Sequence, residues 1–169
     1  MAIQLLSLQP DENRLEISID DLVDCQEFAE QLASVVIAPI AIALSGTLGA
    51  GKTQWTRYFA MELGAPGISI SSPTFMLVHQ YDSSPPVFHL DAYRVGDEEE
   101  MLELGIEEMF DELAITIIEW ADRFPRLLPI NTIRIHIELV ADQNARLIQI
   151  QATGQRAQSI LWKLLALWS

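Results

Sequence analysis

Hydrophobic and polar positions along this chain change period several times, and each change marks an element. Residues 15–19 (LEISI) alternate with period two, as a strand with one buried face does. Asp20, Asp21 and Asp24 then lead into CQEFAEQLASVV, where apolar positions recur at helical spacing. Acids near its start suit the positive end of a helix dipole. Pro39 closes that segment. The run IAIAL (40–44) is short, continuous and β-capable, which predicts a parallel strand buried on both faces. QWTRYFAMEL (54–63) predicts a second helix, ended by Gly64.

Farther on, ISISSPT (68–74) reads as a polar connection and FMLVHQY (75–81) as a strand. Asp82, two serines and the paired Pro85 and Pro86 then read as a turn. VFHLD (87–91) is a strand ending in an acid. If it continues, His89, Asp91 and Tyr93 share one face and Arg94 falls on the other. DEEEMLELGIEEMFDE (97–112) predicts one acidic amphipathic helix, weakened by Gly105. AITII (114–118) is another buried-type strand. TIRIHIEL (132–139) alternates, turns near 142–144 and returns as RLIQIQATG, a predicted antiparallel hairpin. Residues 156–168 predict a C-terminal helix rich in leucine and tryptophan. The order is α/β: one domain over residues 1–169, a mixed sheet flanked by helices, with a C-terminal antiparallel hairpin.

Charge narrows the partners. The chain carries 24 acidic against 10 basic residues, a formal charge of −14, and Lys52 and Lys163 are its only lysines. Nucleic-acid binding draws on several Lys/Arg–phosphate contacts, and no basic cluster supplies them, so autonomous RNA or DNA binding is not expected. The acidity itself reads as solubility. No run of about 18 uninterrupted apolar residues predicts a membrane span. The start, MAIQLLSLQPDENR, lacks a basic lead and a signal-peptide core, and a lone Cys25 suits a reducing compartment; both point to the cytoplasm.

The candidate chemistry is concentrated at 46–53. Gly46-Thr47-Leu48-Gly49-Ala50-Gly51-Lys52-Thr53 matches GxxxxGK[ST] in full, between the apolar IAIALS and a helical segment. Glycines let backbone N–H groups approach phosphate oxygens, and the helix start adds unpaired donors and a positive dipole end. Gly49, Ala50, Gly51, Lys52, Thr53 and Gln54 are therefore expected to hold a nucleotide, with Lys52 on the β- and γ-phosphates and Thr53 on Mg²⁺. A P-loop also needs an acid near the metal at the end of a neighbouring strand. Asp91 and Glu119 both qualify, and position alone does not choose between them. No NKxD guanine-reading motif occurs, which favours ATP. Three histidines without HxxxH spacing make no zinc argument, and no serine sits in a GxSxG elbow.

Four segments in series, GTLGAGKT (46–53), SSPTF (71–75), HLDAYR (89–94) and IIEW (117–120), resemble the bacterial TsaE family, small ATPases needed for threonylcarbamoyladenosine synthesis on tRNA. The resemblance spans roughly residues 15–154. It implies a P-loop NTPase-like domain that uses ATP and Mg²⁺ and acts beside TsaB- and TsaD-like proteins, supporting turnover rather than making the modification itself. It also implies site roles. Thr74, in Ser72-Pro73-Thr74, resembles a switch residue near the γ-phosphate. Asp91 resembles the essential acid of HxDxYR. Glu119 resembles the metal-side or water-orienting acid, and Trp120 completes the EW pair. Cys25 aligns with a threonine near the nucleotide and is carried over as a contact. The tail AQSILWKLLALWS extends the usual family ending and is expected to cover its own domain or a partner. Two other readings of the P-loop stay open from the residues: a small-molecule kinase, for which no arginine-rich lid is visible, and a nucleotide-dependent switch with negligible catalysis.

Overall fold

The alternating and the continuous apolar runs assemble into one eight-stranded mixed sheet. A computed structural model describes residues 3–67, 77–140 and 145–168. In chain order its elements are β1 (Gln4–Gln9), β2 (Arg14–Ile19), α1 (Leu22–Val35), β3 (Ile40–Gly46), α2 (Lys52–Glu62), β4 (Val78–Tyr81), β5 (Val87–Asp91), α3 (Glu98–Glu103), α4 (Ile106–Asp111), β6 (Ile115–Glu119), β7 (Thr132–Leu139), β8 (Arg146–Thr153) and α5 (Gln155–Ala166). The strand order is β1-β2-β8-β7-β3-β6-β5-β4. β7, β3, β6 and β5 run parallel; the remaining pairs are antiparallel.

Burial explains the two kinds of apolar run. One face of the sheet packs Leu15, Ile17, Ile135 and Ile148 against Phe28 of α1, Trp55 and Phe59 of α2 and Ile160 of α5. The opposite face, at the β3, β5 and β6 end, packs Ala43, Leu90 and Ile118 against Met101 of α3 and Ile106 of α4. β5 and β6, covered on both sides, are buried at every position and read as continuous runs. β2 and β8 alternate buried and half-buried residues because only one of their faces is covered. α1 begins at Leu22, three residues before the expected start at Cys25, because the Asp21 carboxylate caps it, accepting from Val23 N–H at 2.7 Å and Asp24 N–H at 3.0 Å. Such a cap stabilises a helix by about 1 kcal/mol.

The structure departs from expectation in three places. The acidic helix is two helices, because Gly105 takes φ +78, a left-handed turn that glycine adopts without a Cβ clash. β5 stops at Asp91, where a 3-10 turn over Ala92–Arg94 begins; Tyr93 therefore leaves the face shared by His89 and Asp91 and is half exposed. β1 has no counterpart among the expected elements. It pairs antiparallel with β2 at the sheet edge, and every residue in it is exposed.

The C-terminal helix packs against α1 and β8, burying Ile160, Leu161 and Leu164. Trp168 Nε1 donates to Gln31 Oε1 at 2.5 Å, so this end of the tail covers its own domain. Trp162 stays exposed. Among the described residues, no helix is long and apolar enough to cross a membrane. Residues 75–76 of the strand expected over 75–81, the turn near 142–144, and Ser72 and Thr74 lie outside the described residues.

Candidate functional site

β3 lies between β6 and β7, and its C-terminal end delivers Gly46 to the phosphate-type loop. A Cβ on Gly46 would fall 2.0 Å from the Ile137 carbonyl oxygen, so only glycine lets the loop leave against β7. Gly51, at φ +107, then turns the chain directly into α2. The first N–H groups of any helix have no intrahelical acceptor, and here they follow a loop of small residues. The neighbouring strands end beside the loop: Leu44 pairs with Glu119, and Glu119 pairs with Asp91. The topology thus brings one loop and two strand-terminal acids to the carboxyl ends of three adjacent parallel strands, the usual ligand edge of an α/β sheet.

Lys52 is buried at this edge. Its Nζ donates to the Gly46 carbonyl at 3.0 Å and the Thr47 carbonyl at 2.9 Å, and sits 3.8 Å over the Trp120 ring. Burial pulls its pKa below the ordinary lysine value, while the negative charges of Glu119, Asp122 and Asp91 oppose that fall. Trp120 takes the left-handed conformation, φ 62, which sets its ring beneath the ammonium and against Tyr93, centroids 5.0 Å apart.

Thr53 Oγ1 donates to Glu119, with oxygens at 2.9 and 3.1 Å. Glu119 Oε1 is also 2.7 Å from His89 Nε2, and His89 Nδ1 is 3.0 Å from the Tyr81 hydroxyl. Asp91, equally buried, accepts from the Tyr93 N–H at 3.0 Å and caps the turn that ends β5. An open cavity of about 470 Å³ is lined by Gly49, Gly51, Lys52, Thr53, Gln54, Asp91, Glu119 and Trp120, together with Leu48, Tyr93 and Arg94. That volume suits a small-molecule ligand. Among the described residues no group of three or more His, Cys, Asp or Glu forms a metal cage. Thr53 and Glu119 are hard oxygen donors already in mutual contact. They fit Mg²⁺, which keeps several waters and takes few protein ligands beside phosphate oxygens.

The residues expected at the site divide. Gly49, Gly51, Lys52, Thr53, Gln54, Asp91 and Glu119 meet at one cavity. Ala50 belongs to the loop but is fully buried, and its carbonyl accepts from Arg146 Nε at 3.1 Å. Thr74 lies outside the described residues. The Cys25 side chain is not brought to the cavity: it is wholly buried in the core packed around Phe28 and Trp55. Burial pushes its thiol up to about 11, opposed in part by the Arg146 charge. Native protein is therefore expected to resist the thiol reagent DTNB at pH 8 and to react stoichiometrically in guanidinium; rapid labelling of the native form would place Cys25 at an accessible surface. Because this pKa lies above that of an exposed thiol, the thiol contributes stability at lower pH that is lost as pH rises through about 9 to 11.

Sequence reasoning missed several contacts that shape the site. Arg146 braces the loop from 96 residues away, and also borders a second cavity with Asp21, Leu22 and Val23. Arg123 Nη1 donates to the Ala92 and Tyr93 carbonyls at 2.6 Å each, tying the turn after β6 to the turn after β5. Tyr81 reaches Glu119 through His89. None of these has a local sequence signal, since each depends on strand pairing or long-range packing.

Comparison with known proteins agrees with this architecture. The family model described as threonylcarbamoyl adenosine biosynthesis protein TsaE matches residues 19–148. The chain is 37% identical over 124 residues to the tRNA threonylcarbamoyladenosine biosynthesis protein TsaE of Bacillus subtilis, covering 73% of this chain and 76% of that one. It is 32% identical over 149 residues to the TsaE of Haemophilus influenzae, covering 85% and 92%. The crystal structure of Bacillus subtilis YdiB superposes with a TM-score of 0.76 at 27% identity, covering 92% of this chain and 97% of that one.

Proposed function

The chain belongs to the TsaE family of tRNA threonylcarbamoyladenosine biosynthesis proteins, and from that premise we propose that it is a Mg²⁺-dependent ATPase acting on a TsaB–TsaD-like complex rather than on RNA. The observation that carries the reading is the convergence of Lys52, Thr53 and Glu119 on one cavity at the carboxyl ends of β3 and β6. In this reading the triphosphate lies against the N–H groups of Gly49 to Gln54 at the start of α2. Lys52 exchanges the Gly46 and Thr47 carbonyls for β- and γ-phosphate oxygens, keeping its charge offset in a partly dehydrated site. Thr53 and Glu119 hold Mg²⁺, which supplies neutralisation of phosphate charge. Asp91 or Glu119 orients the attacking water, and Thr74 senses the γ-phosphate.

Family membership suggests the partners, and the charge of the chain agrees with them. At −14, the chain would repel tRNA phosphate, so the RNA is held by the partner proteins. Such an assembly belongs in the cytoplasm. The experiment is steady-state phosphate release by the chain alone, with a TsaB-like protein, with a TsaD-like protein and with both. Groups supplied or ordered in trans accelerate P-loop hydrolysis by roughly 10³–10⁵ in known systems, and an increase of at least about tenfold is expected with both partners. Equal rates in all four mixtures, with no nucleotide-dependent association by ultracentrifugation, would remove the partner-dependent reading. Fast solitary phosphorylation of a small acceptor would replace it with a kinase.

A further inference from the structure

We infer that His89 is a positioning residue that fixes the Glu119 carboxylate through Nε2–H, and that the Tyr81 hydroxyl holds His89 in the ring tautomer this requires. The inference rests on the reading of Glu119 as a metal-side acid. Its basis is a buried chain of contacts running from the sheet edge to the phosphate loop: Tyr81 on β4, His89 on β5, Glu119 on β6 and Thr53 at the start of α2. The distances are 3.0 Å from Tyr81 Oη to His89 Nδ1, 2.7 Å from His89 Nε2 to Glu119 Oε1, and 2.9 Å from Thr53 Oγ1 to that same oxygen. His89 is 0% exposed, Tyr81 2% and Glu119 3%, so water cannot substitute freely for any of the three.

Donor and acceptor counting sets the direction of the bonds. An ionised carboxylate only accepts, so the ring proton at this contact sits on Nε2. In a neutral ring Nδ1 then carries the lone pair, and it needs a donor because it is buried. The phenol supplies one. Burial first, and the Glu119 charge second, push Tyr81 up to about 12, so its proton stays on oxygen. No proton changes hands in this arrangement; the chain is an orienting device.

What it orients is the carboxylate plane. Oε1 carries two hydrogen bonds, from His89 and Thr53, whereas Oε2 has the longer 3.1 Å contact with Thr53. Rotation about the last side-chain bond would break the 2.7 Å contact and orphan a buried ring nitrogen. The carboxylate is therefore presented with Oε2 as the less committed oxygen. Partners of metal-side ligands typically change metal affinity by roughly 10–100-fold when removed. A purely structural His89–Glu119 pair would set the same tautomer and its loss would lower the melting temperature, but it would leave metal affinity in the folded protein unchanged.

The test uses that difference. Histidine ¹⁵N NMR on the full chain, without nucleotide or metal, is expected to show His89 protonated at Nε2 alone. Tyr81→Phe, which removes only the hydroxyl, should yield a mixture of tautomers. In His89→Gln the amide nitrogen stands close to the position of Nε2, whereas in His89→Asn it stands close to Nδ1. Titration with Mn²⁺ in the presence of ADP is expected to give an affinity for His89→Gln within a few-fold of the parent, and one about 10–100-fold weaker for His89→Asn. ADP binding without metal should be alike in all three, because the loop is untouched, and thermal melting confirms that each variant is folded. An Nδ1-protonated ring in the parent overturns the inference, as do equal Mn²⁺ affinities in the Gln and Asn variants. If the parent itself binds no Mn²⁺ with ADP, the ATPase reading fails together with the metal-side role of Glu119. Binding by the parent with no Gln/Asn difference overturns the positioning role alone.

Discussion

Lys52→Ala is expected to abolish measurable ATP hydrolysis, lowering kcat by on the order of 10²–10³ and weakening ATP binding as well; removing one preorganised charged donor from a reacting site typically costs that much. The ammonium is buried, and it donates to the Gly46 and Thr47 carbonyls of its own loop. A lysine folded back on its loop, over the Trp120 face, is poised to swing to phosphate without first being stripped of bulk water. Because burial holds its pKa below the usual lysine value, the neutral amine forms sooner as pH rises. ATP affinity should accordingly fall in alkaline solution, at lower pH than for an exposed lysine. The variant should stay folded, since Trp55 and Phe59 anchor α2 in the core independently of Lys52. Phosphate release at parental rate from a folded Lys52→Ala protein would defeat the assignment of this loop as catalytic.

Most of the scaffold is legible in the sequence because burial imposes period. β2 and β8 have one covered face and alternate; β3 and β6 are enclosed and read as continuous runs. β1 carries no such signal because QLLSLQ lies at the edge with all six residues exposed, so no buried face imposes alternation on it. The acidic stretch reads as a single helix because charge and apolar spacing continue through Gly105, while the backbone there turns left-handed. The extended face of His89, Asp91 and Tyr93 fails for a local reason: the Asp91 side chain accepts the Tyr93 N–H and curls the chain. At the site, motif and strand ends name the loop and its two terminal acids, and the structure gathers them at one cavity. They do not name Tyr81 and Arg146, because each reaches the site only through strand pairing or long-range packing.

The geometry also separates two acids that the sequence leaves equivalent. Glu119→Gln is expected to lower kcat by on the order of 10²–10³ and to raise the Mg²⁺ concentration needed for half-maximal activity, because an interaction made by an oriented charge is lost. Glu119 is the acid in contact with the Thr53 hydroxyl, and its charge is the largest electrostatic influence opposing the fall in the Lys52 pKa. The amide keeps the volume and one acceptor, so the fold should persist while the charge disappears. Asp91→Asn makes the complementary control. Asparagine caps as well as aspartate, so the turn through Tyr93 N–H survives. Asp91 lies in register beside Glu119, one strand farther from β3 and the loop that β3 delivers, so its removal should reduce the rate without moving the Mg²⁺ dependence. The check is steady-state phosphate release across a Mg²⁺ titration for the parent and both variants, with melting curves to confirm folding. A shifted Mg²⁺ dependence in Asp91→Asn and an unshifted one in Glu119→Gln would exchange the two roles. Parental activity in either variant at every Mg²⁺ concentration would take that acid out of the mechanism.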